Sequence, residues 1–232
     1  MKRLRIEIET LSNLFIGGLP TTFEIGGIDQ FTIVDLNGYP MIPASSLKGV
    51  IRRIVRDMAE EKDGMAIAIG KAYFEYLVLL QEKNRKQSIE LKIENERIDK
   101  MNYRFQEAKK SASAEYLFGI PGFNQVPKLI FNDLKIKKPI DDWYSMDSKN
   151  CIELNKEEDN VYANPRIYKT VRPGILFEGD IIFHDLKKLG IEGIGEFVTR
   201  AVLKFNEGIY RLGNSGSRGY GRIQVEIEEG RD

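Results

Sequence analysis

FTIVDLNGYPMIPASSLKGVIRRIVRDM, residues 31–58, changes its local pattern twice within 28 positions. FTIVD (31–35) and YPMI (39–42) are short β-prone runs around Leu36-Asn37-Gly38, which predicts a β-hairpin with Asn-Gly in its turn. Pro43-Ala44-Ser45-Ser46 then supplies the residue types that start a helix. From there Leu47, Val50, Ile51, Ile54, Val55 and Met58 recur at intervals of three and four, one continuous apolar face. Lys48, Arg52 and Arg56 recur every fourth residue and form a basic ridge on another face, beginning at the helix N-terminus. Gly49 in the first turn costs about 1 kcal/mol relative to alanine, and it leaves room for another backbone to approach. Arg53 and Asp57 read as an ordinary surface pair four residues apart. A helix with one apolar face needs a sheet beneath it, so the neighbouring strands decide the fold.

Working outward, RLRIEIE (3–9) alternates charged and apolar residues and would turn Leu4, Ile6 and Ile8 to a core. KLIFNDLKI (128–136) and ILFEGDIIF (175–183) are strand-like, and RIQVEIE (222–228) alternates again as a last strand. Ile191, Ile194, Val198, Val202 and Phe205 have helical spacing. The order is strand, helix, strand, strand, helix, strand. That predicts an α+β fold, the βαββαβ palm of ferredoxin-like and RRM-like proteins. Two stretches interrupt it. Residues 65–118 read as a helical insertion, with MAIAIGKAYFEYLVLL apolar enough to be buried and 81–110 holding nine Lys/Arg against six Asp/Glu. Residues 139–160 read as an exposed polar excursion, and VYANPRIYKTVRPGI (161–175) as strand-like residues broken by Pro165 and Pro173. A single domain over 1–232, with insertions at 65–118 and 139–175, is expected.

Composition narrows the class. With 42% hydrophobic and 30% charged residues, the chain is long enough to bury a core under a charged surface. Nothing approaches the roughly 18 consecutive apolar residues of a membrane span. MKRLRIEIET has no continuous apolar region, so no secretory signal is expected and the predicted location is cytoplasmic. One Cys and one His exclude a zinc site of Cys/His type built from this chain alone. A formal net charge of zero argues against indiscriminate binding to polyanions but leaves room for a local basic surface.

Several residues could carry chemistry. GNSGSRGYG (213–221) lacks the Lys-Ser/Thr ending of a P-loop and precedes a strand rather than a helix, so nucleotide-binding readings fail on context. Two readings stand: a mobile loop without a ligand, or an anion-binding concavity of backbone N–H groups helped by Ser215, Ser217 and Arg218. The basic ridge is either a solvated helix face or a phosphate contact. Asp35, at the hairpin turn, reads as turn chemistry. Asp29, after Gly26-Gly27-Ile28, could present its carboxylate to a ligand. His184 has no nucleophile near it in sequence, and Trp143-Tyr144 could stack on a base or pack together.

Three segments, IGGIDQFTIVDLNGYPMIPASSLKGVIRR (25–53), ANPRIYKTVRPGILFEG (163–179) and RLGNSGSRGYGRIQV (211–225), together resemble the RAMP superfamily of CRISPR proteins. More narrowly, they resemble the backbone subunit of type III effector complexes, of the Csm kind. The resemblance implies a palm with a thumb-like hairpin, copies stacked head to tail along a guide RNA, and contacts to other effector subunits. It implies guide contacts from Ser45, Ser46, Lys48, Arg52, Arg166, Gly213, Ser215, Gly216, Ser217, Arg218 and Gly219. It also implies cleavage of a paired target RNA at Asp29, with a divalent ion, Mg or Mn, which Asp29 would help to hold. Ala44, Phe31 and Val34 depart from the family pattern, and Val34 removes one basic contact. Other readings are a non-catalytic scaffold, a guide-processing endoribonuclease using His184, and an enzyme binding a phosphorylated small molecule at the glycine loop.

Overall fold

A computed structural model describes residues 3–18, 30–91, 94–155 and 160–228, with the side chains of 151–155 and 160–164 outside the description. In chain order the elements are β1 (Arg3–Thr10), β2 (Gln30–Phe31), β3 (Met41–Ile42), α1 (Ala44–Glu60), α2 (Gly64–Glu90), α3 (Asn95–Lys110), β4 (Lys128–Phe131), β5 (Leu134–Ile136), β6 (Tyr144–Asn155), β7 (Asn160–Val171), β8 (Leu176–His184), α4 (Ile194–Leu203) and β9 (Ile223–Glu228).

The main sheet runs β3-β5-β8-β1-β9, with β4 also on β8, and its ladders are antiparallel. Among the palm strands the second, third, first and fourth in sequence therefore lie side by side, as the βαββαβ reading requires. The alternation of β1 sets its two faces. Leu4, Ile6 and Ile8 are buried, while Arg3, Arg5 and Glu9 are exposed. α1 buries Leu47, Ile51, Ile54, Val55 and Met58, and packs on β4 and on α4, which itself packs on β9. The other face stays open and carries an ion-pair lattice: Arg5 to Glu178 (3.2 Å) and Glu228 (3.4 Å), and Lys137 to Glu7.

Four local expectations are corrected. First, 128–136 is two strands. Asn132 and Asp133 step out of the ladder, and the Asn132 N–H donates to the Asp180 carbonyl at 3.2 Å. Gly179 is required opposite this step, because a Cβ there would lie 2.9 Å from Leu134 Cγ. Second, Ser45 and Ser46 do not cap α1. Pro43 occupies the cap position, and Asp133 Oδ1 accepts the Ala44 N–H at 2.7 Å from across the chain.

Third, the turn at 35–38 forms but its flanks do not make a ladder. Asp35 Oδ1 accepts the N–H groups of Asn37 (2.9 Å) and Tyr39 (3.0 Å), as turn chemistry predicts. The flanks close a single bridge, Val34–Pro40, through Asp35 N–H on Tyr39 O (2.7 Å) and Met41 N–H on Ile33 O (3.3 Å). Beyond it Ile33 N–H turns to Ile16 O (2.8 Å) and Thr32 N–H to Lys169 O (2.9 Å), and β2 joins β7 and β3 joins β5. Fourth, 139–160 is no excursion. β6 and β7 pair over twelve rungs, from Tyr144–Val171 to Asn155–Asn160, as one long hairpin in a separate sheet, β2-β7-β6. Pro165 is tolerated in β7 because β2 reaches only Tyr168 and Lys169 on that edge.

The insertion is helical as expected: α2 and α3 pack on each other. Only one side of α2 is covered. Ile69, Ala72, Tyr73 and Leu77 are buried, whereas Ile67, Phe74 and Leu79 are exposed, so the apolar run is not buried throughout. No described helix is long and apolar enough to cross a membrane.

Candidate functional site

The glycine loop is ordered, and its glycines answer to space. Gly213 has φ +77°, and a Cβ there would lie 2.4 Å from the Phe15 carbonyl oxygen. Gly221 has φ +71°, and its Cβ would lie 2.0 Å from the Leu212 carbonyl oxygen. These close approaches let Asn214 N–H donate to Phe15 O (2.8 Å) and Gly221 N–H to Asn13 O (2.9 Å). The mobile-loop reading is thereby corrected. Between these anchors the tip makes a single tight turn, with Arg218 N–H on Ser215 O (2.9 Å) and Gly219 N–H on Gly216 O (3.1 Å). The N–H groups of Ser215, Gly216 and Ser217 have no acceptor among the described residues. Ser217, Arg218 and Gly219 are exposed, so the tip offers successive unpaired donors beside a guanidinium.

The root of the β6–β7 hairpin closes on this loop. Asp147 Oδ2 accepts hydrogen bonds from Asn13 Nδ2 (2.8 Å), Tyr220 OH (2.8 Å) and Thr170 Oγ1 (3.0 Å), and Oδ1 accepts one from Ser145 (3.3 Å). Burial raises the pKa of this carboxyl, but the donors, Tyr220 first, outweigh burial and hold it below the usual range. Burial and the bond to Asp147 push the Tyr220 phenol up to about 12. Two residues on, Lys149 Nζ donates to Ser215 Oγ at 3.1 Å and lies over the rings of Tyr220 (3.7 Å), Tyr168 (4.5 Å) and Phe15 (5.8 Å). Burial lowers the pKa of its ammonium, and Arg218 lowers it further against the pull of Asp147. Arg166 stands directly across the ladder from Lys149, half-buried and engaged.

The basic ridge of α1 is divided. Glu115 chelates its C-terminal half: Arg52 Nε donates to Oε2 at 2.8 Å, and Arg56 Nε and NH2 donate at 2.9 Å each. The Arg56 hydrogen bond first, then that of Arg52, bring the Glu115 carboxyl down to about 2 against the effect of burial. Arg52 is thus not a free cation, which corrects the uniform ridge. Lys48, one turn earlier, meets no acid among the described residues. Ser45 and Gly49 are exposed, and a Cβ on Gly49 would meet nothing within 4 Å. No described backbone uses the room that Gly49 leaves. No hydrogen bond or ion pair among the described residues links Ser45, Ser46 or Lys48 to the glycine loop.

The remaining candidates separate. Asp29 lies outside the described residues, with Gln30 and Phe31 resuming beside Tyr168 and Lys169 of the hairpin. His184 is exposed at the end of β8, across the ladder from Lys128 and with Asp185 Oδ2 3.9 Å from its Nε2. Trp143 is buried edge-on to Tyr144 (5.5 Å), so packing is the observed arrangement, and Lys169 caps Tyr144 at 4.0 Å. Among the described residues no group of three His, Cys, Asp or Glu could hold a metal ion. The open sheet face excludes the stacking mode of RRM proteins. Its positions on β1, β8 and β9 are charged, amide or aliphatic apart from His184 at the strand end, where that mode needs aromatic rings on the sheet.

Sequence reading missed Asp147, Lys149, Tyr220 and Glu115. The available signal was the alternation of Ser145, Asp147 and Lys149, which places them on one face of a strand once β6 is recognised.

Comparison with known proteins places this geometry. Residues 7–224 match the family model of the RAMP superfamily. The chain is 28% identical over 230 residues to the CRISPR system Cms endoribonuclease Csm3 of Methanocaldococcus jannaschii, covering 94% of this chain and 75% of that protein. It is similar to a chain in the cryo-EM structure of the type III-B Cmr-beta complex bound to cognate target RNA, with TM-score 0.56 and 20% identity. That match covers 98% of this chain and 60% of the other, so the chain spans about three-fifths of that relative's length. A chain of the apo state of the same complex matches over 98% of both chains, at 14% identity and TM-score 0.48.

Proposed function

Because the chain belongs to the RAMP superfamily, we propose that it is a subunit of a cytoplasmic type III CRISPR effector complex. It holds guide RNA and cuts the paired target RNA. The observation that carries the proposal is the family match itself, which extends from residue 7 to 224, a range that includes Asp29, α1, the hairpin and the glycine loop. The similarity to an endoribonuclease over 94% of the chain supports the cutting. In this reading the chain is one RAMP domain. Copies of it stack head to tail along the guide with other effector subunits, a heterologous contact that forms open filaments.

A guide of any sequence must be held by its phosphates. The unpaired N–H groups of Ser215, Gly216 and Ser217 and the guanidinium of Arg218 are suited to that, with Lys48 a second point of contact. Asp29 cuts, by orienting the ribose 2′-hydroxyl for in-line attack or by holding a divalent ion, Mg or Mn. One carboxylate cannot serve as both general acid and general base. The described residues offer no cluster of three His, Cys, Asp or Glu for an ion.

The test is Asp29→Ala in the assembled complex, with a complementary target and with or without a chelator. Cutting should fall by at least about a hundredfold while guide binding stays unchanged, in line with the loss of a group acting in the transition state. Undiminished cutting would remove Asp29 from the chemistry. Absence of cutting in the wild-type complex would leave a binding scaffold.

A further inference from the structure

We propose that Lys149 and Asp147 are positioning residues that brace the glycine loop, so that hairpin and loop present one rigid surface to the RNA backbone. The inference rests on the RNA-binding reading above and deepens it.

The loop tip is held at both ends by a single strand. Lys149 holds Ser215 at 3.1 Å, and Asp147 holds Tyr220 at 2.8 Å. The two β6 residues lie on one face and are separated by about 6.6 Å along the strand. Everything between the held residues, Gly216 to Gly219, is the tip with its unpaired donors and Arg218. The conformation of Ser215 marks the same place. It has φ +62°, a left-handed backbone on a residue that is not glycine, and such a conformation persists only where its surroundings impose it. Here they are the Lys149 hydrogen bond on its side chain and the Arg218 and Tyr220 N–H groups on its carbonyl (2.9 and 3.4 Å).

Lys149 acts through Ser215 rather than on phosphate. Its ammonium is enclosed by the rings of Tyr220, Tyr168 and Phe15 and by the Ser215 hydroxyl, and no carboxylate among the described residues forms an ion pair with it. Lys149 is half-buried, whereas Arg218 is exposed. Asp147 also ties in Asn13, Thr170 and Ser145, so it joins the first loop, both hairpin strands and the glycine loop at one carboxylate.

The experiment uses the full chain and a single-stranded RNA of arbitrary sequence. Affinity is measured over a series of salt concentrations for wild type, Lys149→Met, Lys149→Arg and Arg218→Ala. Amide hydrogen exchange over 215–220 is followed without RNA. A direct phosphate contact contributes about 0.7 to the slope of log K against log salt on a single strand. Arg218→Ala should lower the slope by that amount. Lys149→Met should weaken binding about tenfold, through loss of a hydrogen bond and a desolvated cation–π contact, with the slope unchanged and loop exchange accelerated. Lys149→Arg, which keeps the cation, should recover part of both.

If Lys149→Met lowers the slope by about 0.7, Lys149 touches phosphate and the proposal is overturned. Unchanged loop exchange or unchanged affinity overturns it as well. Should Lys149→Met fail to fold, Tyr220→Phe removes only the hydroxyl on Asp147 and must accelerate the same exchange, or the brace is refuted. A wild-type chain that binds no RNA sinks the proposed function, while the exchange measurement still decides whether the brace exists.

Discussion

Glu115→Gln separates two roles of the α1 arginines, because it weakens the fold and frees cations in one step. The carboxylate receives three charge-assisted hydrogen bonds at 2.8–2.9 Å, and its pKa falls from 4.5 to about 2. At about 1.4 kcal/mol per unit that shift corresponds to roughly 3 kcal/mol. The Arg52 and Arg56 side chains are 43% and 52% exposed, so solvent screening reduces the expected loss to about 2 kcal/mol. For a chain of this length that lowers Tm by about 4–8 °C.

The pH dependence identifies the cause. Glu115 has a lowered pKa in the folded state, so its contribution is complete above the unfolded value of 4.5 and fades as pH falls toward 2. Urea unfolding of wild type and variant should therefore show a stability gap that shrinks at pH 3.5 to roughly three-fifths of its value at pH 7. The freed arginines should act on RNA in the opposite sense, steepening the salt slope by about 0.7 for each one that reaches a phosphate. A gap that is the same at both pH values would mean that the loss comes from packing and not from charge. A stability loss with an unaltered salt slope would remove Arg52 from the RNA surface.

Five further substitutions test local geometry. Gly221→Ala should cost at least about 3 kcal/mol, or prevent folding, since the new Cβ would lie 2.0 Å from a carbonyl oxygen, whereas Gly219→Ala, with φ +88° and open space, should cost only about 1 kcal/mol; equal losses by denaturant unfolding would refute the close-approach argument. Asp133→Ala should cost about 1 kcal/mol by removing the α1 cap, and Ser45→Ala and Ser46→Ala should change thermal stability little; a larger loss at either serine would restore it as the cap.

The palm was legible in the sequence because burial writes a period into it. One face of α1 and every second residue of β1 and β9 had to be apolar, and those positions are the buried ones. β6 and β7 were not legible in the same way. Asp147, Ser148, Lys149 and Asn150 are polar at four consecutive positions, so the alternation of β6 is broken in the middle of its twelve-rung ladder. The site partners were hidden for a different reason: they are remote. Glu115 lies 63 residues from Arg52, Asp133 lies 89 from Ala44, and Ser215 lies 66 from Lys149. No local spacing rule can see such pairs. The glycine loop misled in its own way, because composition cannot distinguish a glycine that grants freedom from one that makes room. Gly213 and Gly221 make room. Asp29 lies outside the described residues, so its role rests on the family resemblance and its own test.

The zero net charge can now be reconciled with a polyanionic ligand. Several of the described basic groups are already committed to acids. Arg52 and Arg56 answer Glu115, Arg5 and Lys137 answer the acids of the open sheet face, and Arg200 answers Asp63. Lys48 and Arg218 lack an acid among the described residues, and Arg218 sits beside the unpaired N–H groups of the loop tip. Two such contacts on one subunit hold any one stretch of RNA weakly. They become effective when repeated along a strand, because neighbouring subunits then add their contacts cooperatively. The charge pattern therefore suits a protein that acts in series better than one that binds alone. A lone chain should show weak RNA affinity with a shallow salt slope, and the slope should grow in proportion to the number of copies assembled on one strand.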